Sequence, residues 1–137
     1  MKENMKLSRI SKSEYYLAIA KTVALRSTCL RRQYGAVIVK NDRIISTGYN
    51  GSAAEEPNCC DTGVCVREQM DIPHGERYEL CVALHAEDNA ITQAGREAKG
   101  AILYLAGFEN GKEIHAEPCL MCRRKIKNAG IDRVVCS

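Results

Sequence analysis

The sequence predicts an α/β fold, a three-layer α-β-α sandwich around one central mixed sheet. A short β-branched apolar run at residues 36–39, followed after a turn by residues 43–49, is typical of two strands. In the second half of the chain, segments with helical periodicity alternate with short apolar runs. Because strands joined by a crossover helix usually pair in parallel, this alternating half predicts parallel pairing within the sheet.

The first predicted helix is capped by Ser11 or Ser13 and runs out near Cys29. Its apolar residues recur with helical spacing, at Tyr16, Ile19, Ala20 and Val23. Two strands follow, joined by a tight turn at residues 40–42. Residues 50–81 are polar and irregular, and a loop of this kind in a small domain is usually functional or held by something other than a core.

The second half predicts a helix from about His85 to Gly95, a strand at residues 101–106, a helix with Pro118 in its first turn, and a last strand at residues 132–136. We interpret residues 1–137 as a single domain with a cysteine-rich loop at about residues 50–84.

Composition narrows the class of protein. The 137 residues carry a net charge of +3, with one Phe and no Trp, so a nucleic-acid partner is unlikely on charge and on stacking surface. The sequence contains neither a membrane-spanning apolar run nor a secretory signal, and we therefore expect a cytoplasmic protein. Eight cysteines in that reducing compartment indicate metal binding or catalysis rather than disulfides.

Two segments that each begin a predicted helix carry the chemistry. Cys119 and Cys122 are three residues apart, so both sulfurs lie on one face of a first helical turn. His85 begins the other helix and adds an imidazole nitrogen. These three side chains predict a catalytic zinc site, because a zinc ion with three protein ligands keeps one position for water.

Glu87 follows His85 by two residues, so it points away from the metal-ligand direction and can act as a proton acceptor and donor beside the metal. This H-x-E…P-C-x-x-C pattern is typical of zinc deaminases. The alternative is a purely structural zinc with Glu87 as a solvated carboxylate. His115 and Glu117 repeat the same tripeptide spacing, but His115 is too close to Cys119 to come from an opposing helix, and we predict a loop residue there.

The remaining cysteines suggest a second, structural zinc. We predict Cys29, Cys59, Cys65 and Cys81 as its ligands, since four thiolates would pin a loop that has little apolar content. The alternative is that these residues are small buried hydrophobes with free thiols.

The chain resembles the deoxycytidylate deaminase family of the cytidine/deoxycytidylate deaminase superfamily. The similar stretches are residues 34–39 (Tyr-Gly-Ala-Val-Ile-Val), 48–52 (Gly-Tyr-Asn-Gly-Ser), 81–91, 118–122 (Pro-Cys-Leu-Met-Cys) and 129–131. The resemblance implies a cytidine deaminase-like fold and deamination of a cytosine nucleotide, dCMP before others. The chain departs from the family in the segment at residues 107–117, which is longer than usual.

The resemblance also implies roles for further residues. Asn50 would hold the sugar hydroxyl, Gly51 and Ser52 would lie near the nucleotide, and the backbone N–H of Ala86 would bind the base carbonyl. A second zinc in some members would fall on Cys29 and Cys59. Members often form homo-oligomers, hexamers among them.

Four other functions share some of these features. A related enzyme could act on cytidine, on a pyrimidine intermediate or on adenosine in transfer RNA, with the last disfavoured by the modest charge. An inactive zinc-pinned module that only binds a nucleotide is the alternative from a different class. Glu87 argues against it, because a binding module has no need of a proton shuttle.

Overall fold

A computed structural model describes residues 8–52, 58, 63, 65–71 and 83–137. A five-stranded mixed sheet forms the centre of the molecule. The helices are α1 (Lys12–Ala24), α2 (Val66–Gln69), α3 (Ala86–Ala94), followed by a 3₁₀ turn at Gly95–Ala98, and α4 (Leu120–Asn128). The strands are β1 (Gln33–Lys40), β2 (Arg43–Tyr49), β3 (Gly51–Ser52), β4 (Ala83–Leu84), β5 (Ile102–Glu109), β6 (Lys112–Ile114) and β7 (Arg133–Cys136).

The order of the sheet is β2-β1-β5-β6, with β7 also paired to β5. The β1–β2, β1–β5 and β5–β6 pairs are antiparallel, whereas β5 and β7 are parallel. The mixed sheet and the parallel pair in the alternating half confirm the predicted architecture. Strands β6 and β7 pair with different parts of β5, residues 107–109 and 102–105, on the side away from β1.

Two tight turns shape the sheet. Asn41 and Asp42 both have positive φ, 52° and 60°, and form the predicted turn between β1 and β2. Asn110 and Gly111 do the same between β5 and β6, with φ of 52° and 76°. Consecutive positive-φ residues match the twist of a two-residue hairpin, and Asn-Gly is the preferred pair for it. Strand β6 was not predicted, and this hairpin accounts for the long segment at residues 107–117.

Alternation along β1 separates the two layers of helix. Val37 and Val39 face α1 with Tyr16 and Ala20, while Ala36 and Ile38 face the opposite side. On that second side the core includes residues of α3 and α4, among them Ala86, Ala90, Ala94 and Ile126. The helices therefore cover both faces of the sheet, which is the predicted three-layer sandwich.

Glycines allow the helices to lie directly on the sheet. A Cβ added to Gly35 would lie 2.1 Å from the carbonyl oxygen of Ala20 in α1. A Cβ added to Gly48 would lie 2.5 Å from the carbonyl oxygen of Ala86 and 2.5 Å from the amide nitrogen of Ala90, both in α3. The close approach at Gly48 fixes α3 against the end of β2, next to the predicted site.

Helix α1 ends at Ala24, earlier than the predicted end near Cys29. Two of the following residues instead contact Asn50: the Thr28 amide donates to its carbonyl oxygen at 3.3 Å, and the Ser27 hydroxyl oxygen lies 2.9 Å from the same oxygen. Such tertiary bonds outweigh the local preference for another helical turn. The capping prediction is confirmed at Ser11, which accepts from the Glu14 amide in a capping box.

Pro118 lies outside α4 rather than in its first turn, because Cys119 is the N-cap of that helix. Strands β3 and β4 were also not predicted; they pair Gly51 with Leu84 and Ser52 with Ala83, and so bring the end of β2 close to the start of α3. Within the described residues, no helix is long and apolar enough to cross a membrane.

Candidate metal centre

The three predicted zinc ligands lie at the starts of two neighbouring helices. His85 is the N-cap of α3, with extended backbone angles of φ −74° and ψ 153°. Cys119 is the N-cap of α4, with φ −68° and ψ 168°, and Cys122 lies in the first turn of that helix. Both helices therefore direct their positive ends toward the same place, where anionic thiolates are stabilised.

The structure brings these three side chains together. The Nδ1 atom of His85 lies 3.2 Å from the sulfur of Cys122 and 3.5 Å from the sulfur of Cys119. All three candidate ligand atoms lie within 4.8 Å of one another. Tetrahedral zinc bonds of ordinary length would place a histidine nitrogen and a cysteine sulfur about 3.6 Å apart. The donor set and its spacing therefore fit a zinc ion.

Without a metal ion, hydrogen bonds link the side chains of His85, Cys119 and Cys122, and a bound cation would take the place of the protons in those bonds. The pKa of Cys119 is lowered, chiefly because its sulfur accepts a hydrogen bond from the Cys122 thiol and also because it faces His85. The same bond raises the pKa of Cys122, which keeps the proton. The pKa of His85 is raised, first by its hydrogen bond to Cys119. A zinc ion binds thiolates and neutral imidazole, so its binding would release these protons.

Glu87 is buried beside this cluster, with 5% of its surface exposed. Burial raises the pKa of its carboxyl group. The charge of Cys119 also raises this pKa, whereas a hydrogen bond with Cys122 lowers it. A buried carboxyl group of raised pKa, next to a metal-binding triad, is suited to accepting and returning a proton. The structure therefore assembles the predicted ligands and Glu87 in one place.

Two polar residues that sequence reasoning missed hold α3 on the sheet. The Ser46 hydroxyl donates to the carbonyl oxygen of Ala90 at 2.8 Å, and the Asn89 amide Nδ2 donates to the carbonyl oxygen of Tyr49 at 2.8 Å. Ser46 itself is buried. Nothing in their local sequence identifies these contacts, because each depends on how helix and strand meet.

Asn50 is buried and joins the end of β2 to the segment before β1. Its Oδ1 accepts from the Ser27 hydroxyl and, at 2.8 Å, from the Tyr34 amide. Its Nδ2 donates to the carbonyl oxygen of Arg32 at 2.8 Å. These contacts use both acceptor sites and one of the two N–H groups of the side chain, so one donor remains in the hydrogen-bond inventory.

The other predicted nucleotide contacts adjoin this residue. Gly51 is buried, and Ser52 follows it in β3. Ala86 is buried in the first turn of α3, where backbone N–H groups have no helical partner. The side chain of His85 forms no cap to that helix end, which leaves those groups to other acceptors.

The proposed second zinc set falls only partly on described residues. Cys29 is half-buried and Cys65 is buried, and both are free thiols. Cys59 and Cys81 lie outside the described residues. Within the described part of the chain, the one group of three potential ligands is His85, Cys119 and Cys122.

The repeated tripeptide, His115 to Glu117, contributes no ligand to the cluster of His85, Cys119 and Cys122. His115 is exposed in the segment between β6 and α4, as predicted. Its Nδ1 bonds with the carbonyl oxygen of Ser137 at 2.9 Å, and its Nε2 lies 3.1 Å from Glu117. His115 and Glu117 therefore serve as an internal contrast to His85 and Glu87.

Comparisons with known proteins agree with this geometry. The chain is 40% identical over 129 residues to the deoxycytidylate deaminase of Schizosaccharomyces pombe, covering 93% of this chain and 37% of that protein. It is 39% identical to the deoxycytidylate deaminase of Mycobacterium phage D29, covering 94% of this chain and 96% of the relative. The chain thus spans much less than half the length of the yeast relative and nearly all of the phage one.

A solved structure is also similar. The dCMP deaminase of cyanophage S-TIM5, in complex with dCMP and dUMP, matches with a TM-score of 0.64 and 25% identity over 92% of this chain and 82% of the other. Finally, residues 10–137 match the family model for the cytidine and deoxycytidylate deaminase zinc-binding region. A match of this extent, on a chain whose histidine and two cysteines meet as a zinc-binding region requires, makes the protein a member of the cytidine and deoxycytidylate deaminase family.

Proposed function

We propose that this protein catalyses the zinc-dependent hydrolysis of dCMP to dUMP and ammonia. The observation that carries the proposal is the buried Glu87 carboxyl group beside the cluster of His85, Cys119 and Cys122. A structural zinc site requires only the ligands, whereas a deaminase also requires a group that moves protons at the same place. The alternative of a purely structural zinc leaves the burial of that carboxyl group unexplained.

In this proposal His85, Cys119 and Cys122 hold the zinc ion. Zinc bound there would supply Lewis acidity that turns water into a nucleophile near neutral pH. Glu87 then carries the protons: it accepts one from the attacking water and delivers it to the ring nitrogen N3, then accepts the second from the new C4 hydroxyl group and delivers it to the departing amino group. The C4–N bond breaks, a C4–O bond forms, and water and dCMP become dUMP and ammonia.

The neighbouring residues would orient the nucleotide. The Ala86 backbone N–H, at the uncapped start of α3, would donate to the base carbonyl. The remaining N–H of Asn50 would donate to a sugar hydroxyl, while its other bonds hold the side chain in place. Gly51 and Ser52 would lie near the nucleotide, next to Asn50. Their backbone pairs with Leu84 and Ala83, the residues that immediately precede His85.

The choice of dCMP over other amino-bearing bases follows from the relatives. The S. pombe and phage D29 proteins are named deoxycytidylate deaminases, and the cyanophage enzyme holds dCMP and dUMP. The phage D29 relative is informative because its length matches that of this chain.

The proposal is tested by comparing the turnover of different substrates. Zinc-loaded protein is given dCMP, CMP, deoxycytidine, cytidine and dCTP separately, with ammonia release and the ultraviolet change from cytosine to uracil as independent readouts. The proposal predicts the highest kcat/KM for dCMP. A higher value for another cytosine compound would reassign the substrate, and adenosine turnover in transfer RNA would reassign the base. Nucleotide binding with no ammonia from any base would indicate a binding module.

Two further properties belong to the proposal. We expect a homo-oligomer such as a hexamer, for which exposed Leu84, Leu120 and Met121 around the metal centre supply apolar contact surface. Light scattering measures the oligomeric state. We expect a cytoplasmic protein, since reduced thiols are needed at Cys119 and Cys122.

The second zinc, on Cys29, Cys59, Cys65 and Cys81, is tested by metal analysis. Two zinc ions per chain, falling to one when Cys65 is replaced by Ser, support it. One zinc ion per chain in the wild-type protein, held by the first site, would exclude it.

A further inference from the structure

An ion pair joins the two helices that carry the candidate metal ligands. Lys125 Nζ in α4 lies 2.8 Å from Asp88 Oδ2 in α3, close enough for a charge-assisted hydrogen bond. The side chains are 40% and 23% exposed, so the pair is partly shielded from water. It crosses between residues 37 positions apart in the sequence.

The pair lies one helical turn from the ligands on both sides. Asp88 follows His85 by three residues, and Lys125 follows Cys122 by three, so each lies on the same side of its helix as the ligand. The metal cluster and the ion pair are therefore two successive links between the same two helices. A change in the spacing or rotation of the helices at one link must also alter the other.

The other described contact between these helices is apolar. Ala86, Ala90 and Ala94 of α3 share a core with Ile126 of α4. Among the described residues, Asp88 and Lys125 form the one ion pair between α3 and α4.

We propose that Asp88 and Lys125 are positioning residues that hold the first turns of α3 and α4 at the spacing the metal ion requires. The inference rests on the proposed function for its consequence in catalysis, but not for its consequence in metal binding. Neither residue touches the metal or the substrate in this role. Their effect passes through His85 and Cys122.

The charge of Lys125 acts in the same direction as its geometry. The ammonium group lies close enough to Cys119 and Cys122 for the sulfurs to act on its pKa, which is raised first by the bond to Asp88. A positive charge at that distance offsets part of the negative charge of two thiolates. Asp88 in turn keeps the ammonium group from turning toward solvent.

The test measures zinc affinity directly. Loaded protein is titrated with a competing chelator of known affinity, and the same preparations are heated with zinc and with excess chelator to obtain both unfolding midpoints. The variants are Lys125→Met, the charge-reversed pair Asp88→Lys with Lys125→Asp, and Arg124→Met. Arg124 is exposed on the same helix and supplies the matched loss of one charge.

We expect Lys125→Met to bind zinc about fivefold more weakly than the wild type. This loss is the upper range of what a partly exposed ion pair contributes. The unfolding midpoint falls less in chelator than with zinc, so the increase on adding zinc becomes smaller. Arg124→Met leaves zinc affinity unchanged, and the charge-reversed pair recovers at least part of the loss. The recovery distinguishes positioning from a simple charge effect on the thiolates.

Two results would overturn the inference. The first is a Lys125→Met protein that binds zinc as tightly as the wild type. The second is an equal loss of stability with zinc and with chelator, which would assign the pair to general helix packing. Neither readout requires dCMP turnover. A failure of the proposed function would be recognised separately, because the wild-type protein would then not deaminate dCMP.

Discussion

The Nδ1 atom of His85 lies 3.2 Å from the sulfur of Cys122, although the two residues are 37 positions apart in the sequence. The intervening strand β5 pairs with β1 on one side and with β7 on the other. Helices α3 and α4 pack on the same face of this sheet, and their N-terminal ends meet. The metal centre is therefore a product of the sheet topology as much as of the two short motifs.

Replacing a metal ligand tests which of two similar tripeptides binds zinc. His85→Ala is expected to lose one zinc ion per chain, because two thiolates alone leave the site without its third ligand. The control is His115→Ala, which removes the histidine of the repeated tripeptide and is expected to keep the wild-type zinc content. Metal analysis of the dialysed proteins decides between them. Loss of zinc in His115→Ala with retention in His85→Ala would reverse the assignment.

Enlarging Gly48 tests whether close packing of α3 on β2 supports the centre. A Cβ at this position meets the backbone of Ala86 and Ala90, which cannot move without displacing α3. Gly48→Ala is therefore expected to lower the free energy of unfolding by about 1–3 kcal/mol, as overpacking does. We also expect weaker zinc binding, since His85 and Glu87 move with the helix. Urea unfolding and chelator competition measure the two effects.

Gly100→Ala is the matched control for that substitution. Gly100 has φ of 79° and no atom within 4 Å of an added Cβ, so alanine there costs backbone strain of about 1 kcal/mol without a collision. Its zinc affinity should equal that of the wild type. If Gly48→Ala lowers stability but, like Gly100→Ala, keeps the wild-type zinc affinity, the contact of Gly48 with α3 supports the fold without positioning the metal centre.

The hydrogen bond between Tyr16 and Asp42 predicts a pH dependence of stability. The Tyr16 hydroxyl donates to Asp42 Oδ1 at 2.6 Å, and this bond, with burial, raises the pKa of Tyr16 to about 12. In the unfolded chain the phenol ionises near its ordinary pKa of about 10. Its stabilising contribution is therefore complete below about pH 10 and is lost as the pH rises toward about 12.

Tyr16→Phe provides the comparison. The variant is expected to be less stable at pH 8, by roughly 1 kcal/mol for the lost hydrogen bond. The difference from the wild type should narrow between about pH 10 and pH 12, where the wild-type phenol ionises on unfolding. Urea denaturation across this range measures it. A difference that stays constant up to pH 12 would show that the bond does not shift the pKa of Tyr16 in solution.

Features with strong local causes were predictable from the sequence. The capping residue Ser11, the turn at Asn41 and Asp42, and the helix starts near His85 and Cys119 each depend on nearby residues. Strand β6 was missed although Asn110 and Gly111 carry the usual hairpin signal.

Other features could not be predicted because they arise only when distant segments meet. Helix α1 ends early since Ser27 and Thr28 bond to Asn50, which is 23 positions beyond Ser27. The ion pair of Asp88 and Lys125 likewise requires the packing of two helices. The meeting of His85, Cys119 and Cys122 was predictable, whereas the contacts that hold their helices in position were not.

Glu87→Gln tests most directly whether Glu87 moves protons in the deamination of dCMP. Zinc content and ammonia release from dCMP are measured in the same preparations of wild type, Glu87→Gln and Glu117→Gln, the last being the matched change in the repeated tripeptide. We expect Glu87→Gln to keep its zinc and to lose at least about 100-fold in kcat, the usual contribution of a proton-transfer group. Glu117→Gln should match the wild type. A zinc-loaded Glu87→Gln protein that deaminates dCMP at the wild-type rate would contradict the account.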